Sequence, residues 1–182
     1  GMVITDMATR GASPTYFTYD AFDQVSVAAG GNDIGGATGR VGINFVTKRG
    51  TNAFHGGANG YFTHDDLHSS NLPDELKNAA RLKGSHKADH MQQLADFNFD
   101  VGGPIVKDKL WFYASWGKED IRILRLTQTA DKTQLVTKTG KLNWQASSKD
   151  MISAFWFLGS KIKIGRSPAS GLSEADSLLV EQ

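Results

Sequence analysis

Four histidines come closest to chemistry in this chain: His64, His68, His86 and His90. His64-Asp-Asp-Leu-His68 has the spacing of a zinc-binding helix, and His86 and His90 repeat it in the same region. The helical version needs a glutamate as general base, and Asp65 stands in its place. On a strand, residues four apart share a face but lie about 13 Å apart, too far for one ion. The four are therefore weak metal candidates, and no metal site is expected. A second constellation, Asp96, Asn98 and Asp100, recurs at every other residue, so the three polar side chains share one strand face about 7 Å apart. Paired carboxylates can do general acid/base work, as in glycoside hydrolysis. A water-filled interior explains the same row more simply. Gly36-Ala-Thr-Gly-Arg-Val-Gly42 imitates a dinucleotide fingerprint, but a β-branched strand follows it where that fingerprint requires a helix. No serine occupies a nucleophile elbow. Neither an enzyme nor a cofactor is expected.

The elements that carry these residues are strands. Asp96, Asn98 and Asp100 alternate with Ala95, Phe97, Phe99 and Val101, a clean division into one polar and one apolar face. A tight charged turn at Lys107-Asp108 leads into an aromatic-rich strand over residues 110–123. Further strands are expected at 22–28, 41–48, 54–63, 94–105, 135–146 and 151–164, with a helical turn near 74–83 after Pro73. Phe54, Ala58 and Phe62 fall on one face of their strand, as do Val136, Leu142, Trp144 and Ala146, and likewise Ile152, Ala154, Trp156, Leu158 and Ile162. The fold class is mainly β, built of antiparallel hairpins.

The 182 residues carry a net charge of +1, so no strong field invites nucleic acid. Cysteine is absent, which removes disulfides and thiolate metal sites. Twenty glycines exceed average usage and cluster between Gly30 and Gly60, where tight turns are expected. No apolar run approaches the roughly 18 residues of a membrane helix, and Gly1 to Thr5 does not open like a secretory signal. Gly1 before Met2 reads as a tag remnant. The connections alternate between short and long, the habit of a membrane barrel. Short turns are expected at Lys107-Asp108 and Ser148-Lys149, and long loops at 64–93, 125–132 and 165–182. Trp111, Tyr113, Trp116, Trp144 and Trp156 are candidates for interfacial aromatic girdles. Periodicity alone leaves a soluble sheet equally open.

Two longer runs tip the balance. Val41-Gly-Ile-Asn-Phe-Val-Thr-Lys-Arg-Gly-Thr-Asn-Ala-Phe-His-Gly56 and Gly102-Gly-Pro-Ile-Val-Lys-Asp-Lys-Leu-Trp-Phe-Tyr-Ala-Ser-Trp116 stand in order and at plausible spacing. Together they resemble the plug-to-barrel junction and a barrel hairpin of TonB-dependent outer-membrane receptors, in particular the Oar-like subgroup. The resemblance spans roughly residues 22–163. It departs from the family at Asn32-Asp-Ile-Gly-Gly-Ala-Thr-Gly-Arg40, where the glutamate of an Ala-Glu-Tyr-Gly-Arg run is missing and Arg40 stands at a shifted distance.

The resemblance implies the C-terminal part of a plug domain over residues 1–53. Over 54–182 it implies the first strands of an incomplete transmembrane β-barrel with long extracellular loops. Such receptors are several times longer, so the chain would be a fragment without signal peptide or TonB box. The implied function is active uptake of a nutrient (siderophore, metal chelate, carbohydrate or peptide) across the outer membrane. Its partners would be outer-membrane lipid, the TonB complex and an unknown ligand, with no nucleic acid. Substrate-binding residues are unknown. The alternative is a soluble β-sheet binding module. In that module the hairpins close on themselves and the apolar faces form a core, whereas an isolated receptor fragment, with about five strands and open edges, is expected to self-associate through those edges.

Overall fold

The computed structural model describes residues 16–29, 41–69, 73, 89–125, 130–165 and 179–181. Two antiparallel sheets account for nearly all of them. Strands β1 (Phe22–Ala29) and β2 (Val41–Thr47) pair only with each other. A six-stranded meander follows: β3 (His55–His64), β4 (His90–Val106), β5 (Leu110–Leu124), β6 (Ala130–Gln145), β7 (Met151–Ile164) and β8 (Leu179–Glu181), each beside its sequence neighbour. No helix among the described residues is long and apolar enough to cross a membrane, which leaves crossing by strands untouched.

The turns explain the meander. Lys109 N–H donates to Val106 O at 3.2 Å, and Asp108 sits in the left-handed region at φ 60°. Aspartate is one of the few residues besides glycine that enter this region at modest cost. In the next short turn Ser147 Oγ accepts from the backbone N–H of Lys149 (3.2 Å) and Asp150 (3.1 Å). Gln145 N–H donates to Lys109 O at 2.7 Å, tying the two short turns together at one end of the sheet.

Burial in this sheet is inverted. Among the described residues of this sheet the buried apolar side chains are Ala95, Tyr113 and Leu135, whereas the buried polar ones include Asn98, Asp100, Ser115, Thr137, Thr139, Asn143, Lys161 and Lys163. Phe97, Phe99, Leu142, Trp144, Ile152, Trp156 and Leu158 are exposed. Water would punish that arrangement; lipid outside a polar interior requires it. The outward row of β5 sharpens the point. Phe112, Ala114 and Trp116 give way to Lys118 and Asp120, which pair at 3.2 Å. The apolar band therefore stops part-way up, with the Phe99–Trp116 stack (5.4 Å) near its border. Strands of 14 to 17 residues in β4 to β7 exceed the roughly 9–11 needed to span a bilayer, so their far ends project beyond the band.

Several expectations are corrected. β4 begins at His90 and β6 at Ala130, so both invade stretches expected as loops; β8 adds a sixth strand where a loop was expected after residue 165. The extensions of β4 and β6 are mostly polar, and ladder pairing continues where side chains show no apolar/polar alternation. Three residues of β8 are too few to show a period. Trp111 and Tyr113 lie on the polar face, not in an outer girdle, because they share parity with buried Ser115. The helical turn expected near 74–83 and the segment 30–40 lie outside the described residues.

Candidate functional site

The polar face of the six-stranded sheet carries the segment before it. Thr18 Oγ1 lies 2.7 Å from Thr137 Oγ1, over Gly117, which leaves room for it. Phe17 packs on Phe157 at 4.3 Å between ring centroids. Lys161 Nζ donates to Tyr16 Oη at 3.2 Å and lies 4.5 Å from that ring's centre. Lys141 Nζ donates to Thr47 Oγ1 (2.9 Å) and to Thr47 O (3.3 Å). Lys48 Nζ reaches Asp100 Oδ1 at 3.3 Å, with the carboxylate almost wholly covered. Within the segment, Phe22 contacts both Phe17 (5.7 Å) and Phe45 (4.7 Å), and Lys48 N–H donates to Ala21 O at 3.0 Å.

The expected polar triplet thus faces inward, and its members have separate tasks. Asn98 Nδ2 donates to Asp96 Oδ1 at 2.8 Å, while Asp100 accepts from Lys48. Sequence reasoning missed Glu119, which sits directly across from Asp96 on β5. Like charges in that position oppose sheet stability, and the only cue available was cross-strand register. Both line a recess of about 490 Å³ with Tyr16, Tyr19, Asp20 and Tyr61. A second recess of about 380 Å³ lies between Asp23, Lys48, Arg49, His55 and Asp100.

At the short-turn end the two sequence motifs meet. Asn52 Oδ1 accepts from the backbone N–H of Asp108 (2.9 Å) and from the Trp111 indole (2.7 Å), and its Nδ2 donates to the Asp108 carboxylate. Nothing in the chain's periodicity announces this meeting of residues 56 and 59 positions apart. At the opposite end Arg125 Nη2 binds Asp131 at 2.6 Å and Nη1 lies 3.6 Å from Asp89. The hydrogen bond to Asp131 raises the guanidinium pKa further.

The histidines scatter. His64 closes β3, and its Nδ1 accepts from Asp66 N–H at 3.4 Å; His68 follows the 3-10 turn Asp65–Leu67 and bonds Thr63 Oγ1 at 2.9 Å. His90 opens β4, with Nε2 3.5 Å from Asp65. His86 lies outside the described residues. Among the described residues no three His, Asp or Glu side chains gather as a metal site.

A sheet that is apolar outside and polar inside, with an inner segment laid on its polar face, is the wall of an outer-membrane β-barrel. Residues 46–153 match the outer membrane beta barrel domain family, and the chain belongs to that family. It is also 32% identical over 122 residues to the TonB-dependent transporter Oar of Myxococcus xanthus, a match covering 64% of this chain and 11% of that protein. The resemblance read from the two motifs stands, and the outer membrane is where the chain resides. No solved structure matches it.

Proposed function

We propose that the chain forms part of a TonB-coupled receptor that takes up a nutrient through the outer membrane, and that it acts in transport rather than catalysis. One observation carries this reading: the inner segment rests on the polar wall through Lys48–Asp100, Lys141–Thr47 and Thr18–Thr137. Each is a side-chain contact that water can replace at small net cost, as a plug that must yield requires. On this reading residues 1–53 are the C-terminal part of the plug and 54–182 the first barrel strands. The short turns at Lys107-Asp108 and Ser148-Lys149 face the periplasm, and the long connections face outward. The recess between Tyr16, Tyr61, Asp96 and Glu119 is where a passing solute meets this part of the wall. Siderophores, metal chelates, carbohydrates and peptides are the solute classes in question. The free edges of β3 and β8 are closed by further strands in the whole barrel; isolated, they pair with another copy.

The test deletes the gene and follows cellular accumulation of labelled members of those four classes, with and without a protonophore. Loss of accumulation of one class on deletion, and its collapse with the protonophore, is the expected result. Accumulation that survives both treatments for every class would remove the transport reading.

A further inference from the structure

The contacts on the two sides of Gly50 differ in kind. Ahead of it, the contacts that Tyr16, Phe17, Thr18, Thr47 and Lys48 make with the wall all use a side chain on at least one partner, and among the described residues no backbone–backbone hydrogen bond joins them to it. From Gly50 onward the chain is built into the wall. A Cβ on Gly50 would collide with the Phe112 carbonyl and stand 2.8 Å from Gly103 O, backbone atoms of both strands of the hairpin. Asn52 then spends its whole amide on the β4–β5 turn, with two hydrogen bonds accepted and one donated. Phe54 comes round to the outer face, over Gly103 and 6.3 Å from the Phe112 ring. His55 begins an unbroken ten-residue register with β4. Residues 50–55 therefore strap the rim of the sheet, from its polar face to its apolar one.

We propose that Asn52 and Gly50 form a permanent anchor, and that the inner segment swings as one body about the Lys48–Arg49 step. That step is where allegiance changes. Lys48 N–H belongs to the inner body through Ala21 O, whereas Arg49 O is held at 3.2 Å by His55 Nε2 on the anchor side. The Lys48–Asp100 ion pair spans the joint and acts as its latch. Asn52 is a positioning residue: it keeps the pivot in place while the latch opens. The swing rests on the reading of residues 1–53 as a displaceable plug, but the anchor rests on geometry alone.

The experiment uses the full-length protein in detergent micelles under a shallow urea gradient. A maleimide reports on Thr18→Cys, which the wall shields, and amide hydrogen exchange reports on Asp108 N–H, which Asn52 caps. The expected result is a tenfold rise in Thr18→Cys labelling at urea concentrations where Asp108 exchange is unchanged. Asp100→Asn should shift only the labelling curve, to lower urea. In Asn52→Ala the Asp108 amide should exchange at least tenfold faster without urea, while β5–β6 amides stay protected. A simultaneous rise of both signals in the unaltered anchor overturns the anchor and leaves the plug reading intact. Labelling that rises only when β5–β6 amides exchange overturns the swing and the plug reading together.

Discussion

The β1–β2 ribbon and the β4–β6 part of the wall are both antiparallel, both alternate, and are stabilised in opposite ways. In the ribbon, Val25, Val27, Ile43 and Val46 are exposed, and the strands are held by each other and by the small Phe17, Phe22 and Phe45 cluster. In the wall, the polar row is covered and the apolar row is turned out. The same period of two therefore means different things in the two places. In the wall it separates lipid from an aqueous interior; in the ribbon it decides little, because neither face is fully covered.

Substituting matched positions sharpens that contrast. Val101→Lys, on the lipid side of β4, should cost about 2–4 kcal/mol in urea unfolding from vesicles, the range for lysine near the bilayer midplane. Val25→Lys, 44% exposed on the ribbon, should cost about 0.5 kcal/mol or less in the same assay. Equal costs would erase the distinction between the two sheets.

Gly50→Ala comes next. Its new methyl meets backbone on both strands, which cannot step aside, so a loss of about 1–3 kcal/mol is expected from overpacking. The atoms nearest a methyl added by Gly117→Ala are the Thr18, Asn98 and Thr137 side-chain oxygens, not backbone. This substitution should loosen the inner segment, read as faster labelling at Thr18→Cys, while the wall's unfolding midpoint stays nearly constant. Asn52→Ala should then cost about 1–2 kcal/mol, since three hydrogen bonds at an exposed rim each contribute modestly. A red shift of Trp111 emission, measured with the other tryptophans replaced, would accompany it.

The smallest effect belongs to Arg125→Gln at the projecting end. A raised guanidinium pKa lends stability that persists until pH climbs through that raised value, far above the working range. Arg125 therefore stays charged throughout, and the difference between Arg125→Gln and the parent should fade with added salt without showing a pH step of the arginine's own. A step in that difference at alkaline pH below the ordinary arginine range would contradict this assignment.

Much of the wall was legible beforehand. Ala95, Phe97, Phe99 and Val101 against Asp96, Asn98 and Asp100 announced β4, and Lys107-Asp108 announced its turn. The parity of Leu142 and Trp144, and of Ile152, Trp156 and Leu158, also held. The strand ends were not legible, because His90 to Gln93 and Asp131 to Gln134 are mostly polar and show no apolar/polar alternation, while their ladder pairing depends on the facing strand. Trp111 and Tyr113 were misplaced for a related reason: aromatic content suggests a membrane border, whereas only parity with Ser115 says which way the rings point.

Sequence by itself determined the period, the short turns and the two motifs whose resemblance names the family, since each is written in neighbouring residues. Tertiary structure alone decided that Asn52 caps the Asp108 turn, that Glu119 opposes Asp96, and that Lys48 latches onto Asp100. Those pairings join residues 23 to 56 positions apart in the chain, so they exist only after register has set which side chains face one another.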